Sequence, residues 1–366
     1  MNPLLDLSVN DHVRNLLLLA GVGGISFLLF LAGTPALTKF LLANRLQKRI
    51  RKSAAGGGGA PIFHLLHAKK EGTPTMAGLL LWLVVGGIVA AGWLFFLARP
   101  DLFPEDFFQR VRGQLFVPLG TMALMALLGA VDDFWNIIGS QRKRKEVGLG
   151  VSPQLLFLFL FAGLAAWWFS AKLGWTTVHI PGAGDLVLGG WAALVYLCVI
   201  VGTAKAVDIT DGLDGLAAGL LIPAFAAFAL IAYAKGLLLL CLLLATVGGG
   251  LLGFLWFNLP PARFFLGTVG ILPLGALLAI VAILTNSIVA LFLIGFLFFA
   301  EFASSLLQFS WKKFFGRKLL PVAPLHHTFQ KLGWSEELVV MRFWIVGAGC
   351  ALAGAVLGML GMGVVV

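Results

Sequence analysis

Charge is scarce in this 366-residue chain: Asp, Glu, Lys and Arg together make up 11% of it. Soluble domains carry about a quarter charged residues, so this composition excludes one. Cysteine is scarcer still. Cys198, Cys241 and Cys350 are the only three, all inside apolar runs and without a C-x-x-C spacing. That excludes a disulfide framework and a cysteine metal site, and leaves three small core hydrophobes. The glycine run at 56–59 lacks the G-K-[ST] of a phosphate-binding loop, so it reads as a linker. No internal repeat of the sort that builds secondary transporters is visible. The first residues carry two Asp before Arg14 and no basic start, so no cleavable signal peptide is expected.

What is present is hydrocarbon. Apolar residues form 60% of the chain, with mean hydropathy +0.99, which identifies an all-α polytopic membrane protein. About ten segments reach the ~20 residues a bilayer core requires. They lie near 15–36, 74–98, 114–131, 153–172, 186–204, 216–234, 236–257, 264–284, 286–309 and 339–365. Gaps between them are short, so 1–366 reads as a single membrane domain. The net charge of +10 gathers in alternate loops, which makes it a topology signal and gives no reason to expect a nucleic-acid partner. Arg45, Lys48, Arg49, Arg51, Lys52, Lys69 and Lys70 lie in one loop, Arg142 to Lys145 in another, and Lys312, Lys313, Arg317, Lys318 and Lys331 in a third. Basic loops stay cytoplasmic, so both termini are expected on the outer, periplasmic side. The alternation at 176–184 predicts a short outer β-hairpin, with His179 structural.

On this topology the unusual polar groups share the cytoplasmic side. The densest stretch is Val207-Asp208-Ile209-Thr210-Asp211-Gly212-Leu213-Asp214-Gly215-Leu216. A carboxylate near hydrocarbon costs on the order of 3 kcal/mol at a helix centre, so three of them read as a site. It is not an EF-hand, because the twelfth position from Asp208 is Gly219 where that loop needs Glu. Gly212 and Gly215 are expected to break the helix and bring backbone close to a ligand. Asp132-Asp133, Asn258 and His326-His327 lie on the same side. Carboxylates at one membrane face, beside Lys and His, suit an enzyme acting on a lipid head group. They can hold Mg²⁺, which commonly bridges to substrate phosphates.

The motifs then resemble one family. His67-x-x-Lys70-x-Gly72-Thr73-Pro74-Thr75-Met76, Asp132-Asp133, Thr210-Asp211-Gly212-Leu213-Asp214-Gly215-Leu216 and Pro324-x-His326-His327, followed by Gly333-Trp334 and Arg342-Phe343-Trp344, resemble the phospho-N-acetylmuramoyl-pentapeptide transferases. These stand within the polyprenyl-phosphate N-acetylhexosamine-1-phosphate transferases. The resemblance implies transfer of phospho-MurNAc-pentapeptide from UDP to undecaprenyl phosphate, giving lipid I and UMP in the bacterial inner membrane. It implies that Asp132 and Asp133 handle the lipid phosphate, one as base, and help hold Mg²⁺. It further implies that Lys70, Thr75, Asp211 and Asp214 line the nucleotide pocket with Asn258 close by, that Phe265 stacks on uracil, and that Gln308, His326 and His327 complete a polar wall. Whether two protomers pair as a homodimer through their apolar faces stays open.

Departures from the family pattern fall inside the motifs. The family's main Mg²⁺-ligand aspartate is Thr268, its third consecutive His is Thr328, and the Glu after it is Gln330. Two family lysines are Asn136 and Gln154, and two family asparagines are Lys205 and Asp208. Either Asp208 supplies the carboxylate that Thr268 lacks, joining Asp132 and Asp133 as a metal ligand in a working centre, or the chain is a relative that binds nucleotide-sugar or polyprenyl phosphate without turnover. A related transferase with another substrate is a further alternative.

Overall fold

A computed structural model describes residues 8–44, 46–47, 72–141 and 151–360. Lys70, the glycine run at 56–59 and the basic residues 142–145 lie outside the described residues. The architecture is helical throughout, with one two-stranded hairpin among the described residues. Among the described residues eight helices are long and apolar enough to cross a membrane; a helix pair bent by 80° counts as a ninth candidate span, and the shorter apolar helix Thr268–Leu284 falls on the remaining expected segment.

The long first helix, α1 (Val9–Ala43), opens on a Ser8/Asp11 capping box, in which each side chain accepts from the other's backbone N–H,. It is followed by α2 (Gly78–Ala98), α3 (Phe107–Gln114), α4 (Phe116–Gln141) and α5 (Val151–Trp167). Strands β1 (Thr177–Ile180) and β2 (Gly184–Val187) pair antiparallel, with His179 opposite Asp185. Then come α6 (Ala192–Thr210), α7 (Leu216–Ala234), α8 (Leu238–Asn258) and α9 (Thr268–Leu284). The chain closes with α10 (Ile288–Ile294), α11 (Phe296–Phe315), α12 (Leu325–Lys331) and α13 (Glu336–Met359).

Helix α9 is the axis of the bundle. Every residue from Val269 to Leu284 is buried, and α2, α4 and α6 pack around it. A helix apolar on every face belongs inside such a bundle, which lets seventeen residues suffice. Small residues permit the close crossings, as expected where lipid removes the hydrophobic drive between helices. A Cβ on Gly275 would lie 2.8 Å from the Ala204 Cα of α6. Peripheral side chains such as Leu83, Trp256 and Ile345 stay more than two-thirds exposed (72%, 68% and 73%), an apolar surface that suits lipid and not water.

Three details differ from the sequence reading. Residues 186–187 belong to β2 and 189–191 to a short 3₁₀ turn, so α6 starts at Ala192 and reaches Thr210. The expected segment 286–309 is broken at Gly295 into α10 and α11, where a Cβ would meet Leu291 O at 3.1 Å and glycine's low helix propensity favours the break. Residues 99–113, the gap between two expected spans, contain most of α3. Phe96, Phe103 and Phe107 stack α3 onto α2 with ring centroids 4.5 to 5.3 Å apart. Gln114 at its end accepts the Leu239 and Leu240 N–H groups at 3.1 and 3.2 Å, two of the donors a helix start leaves unsatisfied. The hairpin itself matches expectation, and His179 is structural. Its Nδ1 bonds Asp185 at 2.8 Å and its backbone N–H donates to Asn286 Oδ1 at 3.0 Å.

Candidate active site

The end of α4 meets the start of α9, and glycine makes the meeting close. A Cβ on Gly129 would lie 2.3 Å from the Thr268 carbonyl oxygen. One helical turn further along α4, the Asp133 carboxylate accepts the Thr268 N–H (3.1 Å) on one oxygen and the Val269 N–H (2.9 Å) on the other. These are leading N–H groups of α9, at the positive end of its dipole. Gly267, with φ 77°, sits so near that its Cβ would lie 2.6 Å from Asp133 Oδ2; space and backbone conformation both demand glycine. Asp132 is bonded differently. Its Oδ2 accepts from the Thr268 hydroxyl at 3.3 Å and from the Asn136 amide at 3.1 Å. Both aspartates are buried. Asp133 is therefore held by main chain, and Asp132 by side chains that can rotate.

The acidic stretch divides into a helical part and a turn. Asp208 lies within α6, where its carboxylate pairs with Lys205 Nζ at 2.5 Å. The helix ends at Thr210, and Gly215, with φ 77°, starts α7, so the glycines break the helix as expected. Asp214 is buried: its Oδ2 accepts the Ala262 N–H at 2.9 Å, and its own N–H donates to Glu336 Oε1 at 2.8 Å. Trp344 Nε1 donates to the Gly215 carbonyl at 3.2 Å.

A belt of hydrogen bonds joins this turn to the aspartate pair. Asn258 accepts the Gly215 N–H at 2.9 Å and donates to the Phe264 carbonyl at 3.0 Å. Phe265, half-buried, donates its N–H to Pro74 O and accepts from Ala77 N, at 2.9 and 3.0 Å. Thr75, between those two partners, is buried, with its N–H on Leu46 O at 3.0 Å. Two residues beyond Phe265 stands Gly267 against Asp133.

Helix α12 brings the histidines to the same turn. His326 is bonded through Nδ1 and its backbone N–H to the two carboxylate oxygens of Glu301, each at 3.0 Å. A Cβ on Gly212 would lie 2.4 Å from His326 Nε2. His327 Nδ1 bonds Gln330 at 2.8 Å. Gln308 is engaged with backbone: it accepts from Leu319 and Leu320 N–H and donates to Leu320 O. Glu301 and Glu336 escaped the sequence reading. Glu301 had left a signal, since an acid inside an apolar segment is costly and marks a site.

Three of the departures, Lys205, Asp208 and Gln154, touch one another, and two more, Asn136 and Thr268, share Asp132. Asn136 and Thr268 both bond Asp132. Lys205 bonds Asp208 and, at 3.4 Å, Gln154. Gln330 bonds His327, and Thr328 donates its hydroxyl to the Val322 carbonyl.

These same contacts bear on Mg²⁺. Among the described residues no group of three or more His, Cys, Asp or Glu side chains is placed to hold a metal ion. Asp133 is committed to α9, Asp132 to Thr268 and Asn136, and Asp208 to Lys205. Among the described residues, then, Asp132, Asp133 and Asp208 do not form a ready-made three-carboxylate Mg²⁺ site.

Residues 115–286, which carry the aspartate pair, the acidic turn and Thr268, match the model of Glycosyl transferase family 4. Over most of its length the chain is similar to proteins named phospho-N-acetylmuramoyl-pentapeptide-transferase. It is 33% identical to that of Levilactobacillus brevis, covering 92% of this chain and 97% of that protein. The corresponding figures are 38%, 79% and 80% for Bartonella quintana, and 33%, 98% and 94% for Chloroflexus aurantiacus. With its described motif residues gathered at one end of a helical membrane bundle, the chain belongs to the phospho-N-acetylmuramoyl-pentapeptide transferase family.

Proposed function

We propose that this protein transfers phospho-MurNAc-pentapeptide from its UDP carrier to undecaprenyl phosphate, giving lipid I and UMP. It acts as one membrane domain over 1–366, in the bacterial inner membrane, with the site on the cytoplasmic side where the basic loops lie. The observation that carries this reading is the belt from Gly215 through Asn258, Phe264, Phe265 and Pro74 to Gly267 and Asp133. It ties motif residues from distant segments into one locus.

The chemistry is phosphoryl transfer. An oxygen of the lipid phosphate attacks the sugar-bearing phosphorus of the UDP-sugar. A new pyrophosphate bond forms as the old one breaks, and its electron pair leaves on UMP. Asp132 serves the lipid phosphate as base, since its rotatable partners Thr268 and Asn136 can yield to a ligand. Asp133 keeps α4 and α9 in register beneath it. Asp211, Thr75 and Asn258 line the nucleotide side with Lys70, whose ammonium offsets phosphate charge, while Phe265 stacks on uracil. Asp214 supports the turn, and His326, His327 and Gln308 close the polar wall. Mg²⁺ enters this reading through the family resemblance alone, and no step is assigned to it.

The test is purified protein in nanodiscs with UDP-MurNAc-pentapeptide and undecaprenyl phosphate, with UMP and lipid product quantified across a wide Mg²⁺ range and with EDTA. The expected result is stoichiometric UMP and lipid I, lowered about a hundredfold or more by Asp132→Asn. Among the described residues no three-ligand metal group is found, which favours one competing reading, a relative that binds without turnover. Nucleotide binding with no UMP release at any Mg²⁺ concentration would establish it.

A further inference from the structure

Helix α11 carries one acid that the transfer scheme above leaves without a part. Glu301 is fully buried, at 0% exposure, and among the described residues its carboxylate bonds His326, itself 1% exposed. A buried carboxylate is expensive unless hydrogen-bonded. Here both oxygens are served, one by the His326 backbone N–H and one by Nδ1. The backbone bond fixes where α12 begins. With Glu301 as a carboxylate and the imidazole neutral, the ring bond places the proton on Nδ1 and leaves Nε2 as an acceptor.

That second nitrogen is unusual. His326 Nε2 is buried and finds no hydrogen-bond partner among the described residues, a state few buried polar atoms show and one that calls for an explanation. It abuts Gly212, where a Cβ would lie 2.4 Å away, in the turn between Asp211 and Asp214. A purely structural role needs only the Nδ1–H that serves Glu301 and gives no account of where Nε2 points. A histidine kept for a ligand's N–H or O–H has to hold one acceptor in reserve beside that ligand's turn.

We propose that Glu301 is a positioning residue for the transfer reaction. It holds His326 as the Nδ1–H tautomer, with Nε2 an unprotonated acceptor directed at the Asp211–Asp214 turn for a donor group of the nucleotide-sugar. The proposal rests on the transferase reading for its role in rate, but the tautomer it assigns is independent of turnover. In other enzymes that orient a histidine with a carboxylate, exchanging that carboxylate for an amide preserves geometry yet costs about 10⁴ in rate through the wrong tautomer.

The experiment compares full-length wild type, Glu301→Gln, Glu301→Asp, His326→Ala and the double variant Glu301→Gln/His326→Ala in nanodiscs. Histidine ¹⁵N resonances, with His326 assigned by difference against His326→Ala, report the tautomer. UMP release gives kcat and KM. Glu301→Gln is expected to move the proton of His326 from Nδ1 to Nε2 and to lower kcat at least about tenfold, with KM changed less than about threefold. Glu301→Asp restores the Nδ1–H signature and part of kcat, and the double variant is no slower than His326→Ala. A wild-type His326 protonated at Nε2, a wild-type kcat in folded Glu301→Gln, or losses that multiply in the double variant overturns the proposal. If wild type releases no UMP, the transferase reading fails, and the ¹⁵N spectra still decide whether Glu301 sets the tautomer.

Discussion

Replacing Gly129 by alanine adds one methyl group at the crossing on which the aspartate pair depends. The new Cβ would lie 2.3 Å from Thr268 O, 2.5 Å from Thr268 C and 2.6 Å from Val269 Cα. All three are backbone atoms of α9, so no flexible side chain can move aside. Regaining ordinary contact at 3.4 Å or more means parting α4 from α9 by about 1 Å, and overpacking of this sort costs about 1–3 kcal/mol. The strain falls one turn from Asp133, whose bonds to Thr268 and Val269 are 3.1 and 2.9 Å. Lengthened by about 1 Å they leave hydrogen-bond range, and charged bonds contribute roughly 1.5–3 kcal/mol each. Because the helices can share the shift between crossing and carboxylate, these terms do not add, and about 3 kcal/mol is the expected loss. A misplacement of about 1 Å can also cost about 10² in rate. Gly129→Ala should therefore lower both Tm and UMP release. Gly120 lies on the same helix with nothing within 4 Å of its Cβ position, so Gly120→Ala is the matched control. It should leave activity intact and, by helix propensity, stabilise by about 0.5–1 kcal/mol. Equal behaviour of the two variants, in Tm and in rate, would refute the reasoning.

Asp133→Asn retains one acceptor but turns an amide N–H toward a backbone N–H of α9, so a lowered Tm should accompany lost activity; Asp132→Asn should lose activity with a smaller change in Tm, and thermal melts beside UMP assays separate the two. Lys205 and Asp208 are about four-fifths buried (19% and 23% exposed), so their coupling in a double-mutant cycle on stability should exceed the roughly 0.2–1 kcal/mol of exposed pairs. Lys205→Asn/Asp208→Asn should then retain more UMP release than Asp208→Asn alone. If the double variant is as inactive as Asp208→Asn, Asp208 acts on substrate or metal and not on Lys205. Trp344→Phe removes the bond to the Gly215 carbonyl, 3.2 Å long, and should cost about 0.5–1.5 kcal/mol, read as a modest fall in Tm.

Composition alone determined that this chain is a membrane bundle, because apolar runs of bilayer length leave no other way to satisfy the backbone. The order of the motifs determined the family, and Gly212 and Gly215 announced a break in the helix that α6 and α7 display. Glu301 could have been noticed, since an acid inside an apolar segment is costly, but its partner lies twenty-five residues away and sequence spacing does not encode such a contact. The bend at Gly295 and helix α3 were likewise beyond hydropathy, which measures how apolar a segment is and not its direction. Partnership was what only the tertiary structure decided. In the sequence Asp132 and Asp133 are equivalent neighbours, and Asp208 is one of three acids beside a vacant aspartate position. Folding sets Asp133 on the start of α9, Asp132 on Thr268 and Asn136, and Asp208 on Lys205. A carboxylate's role follows from which donors reach it, and those donors arrive from helices far apart in the chain.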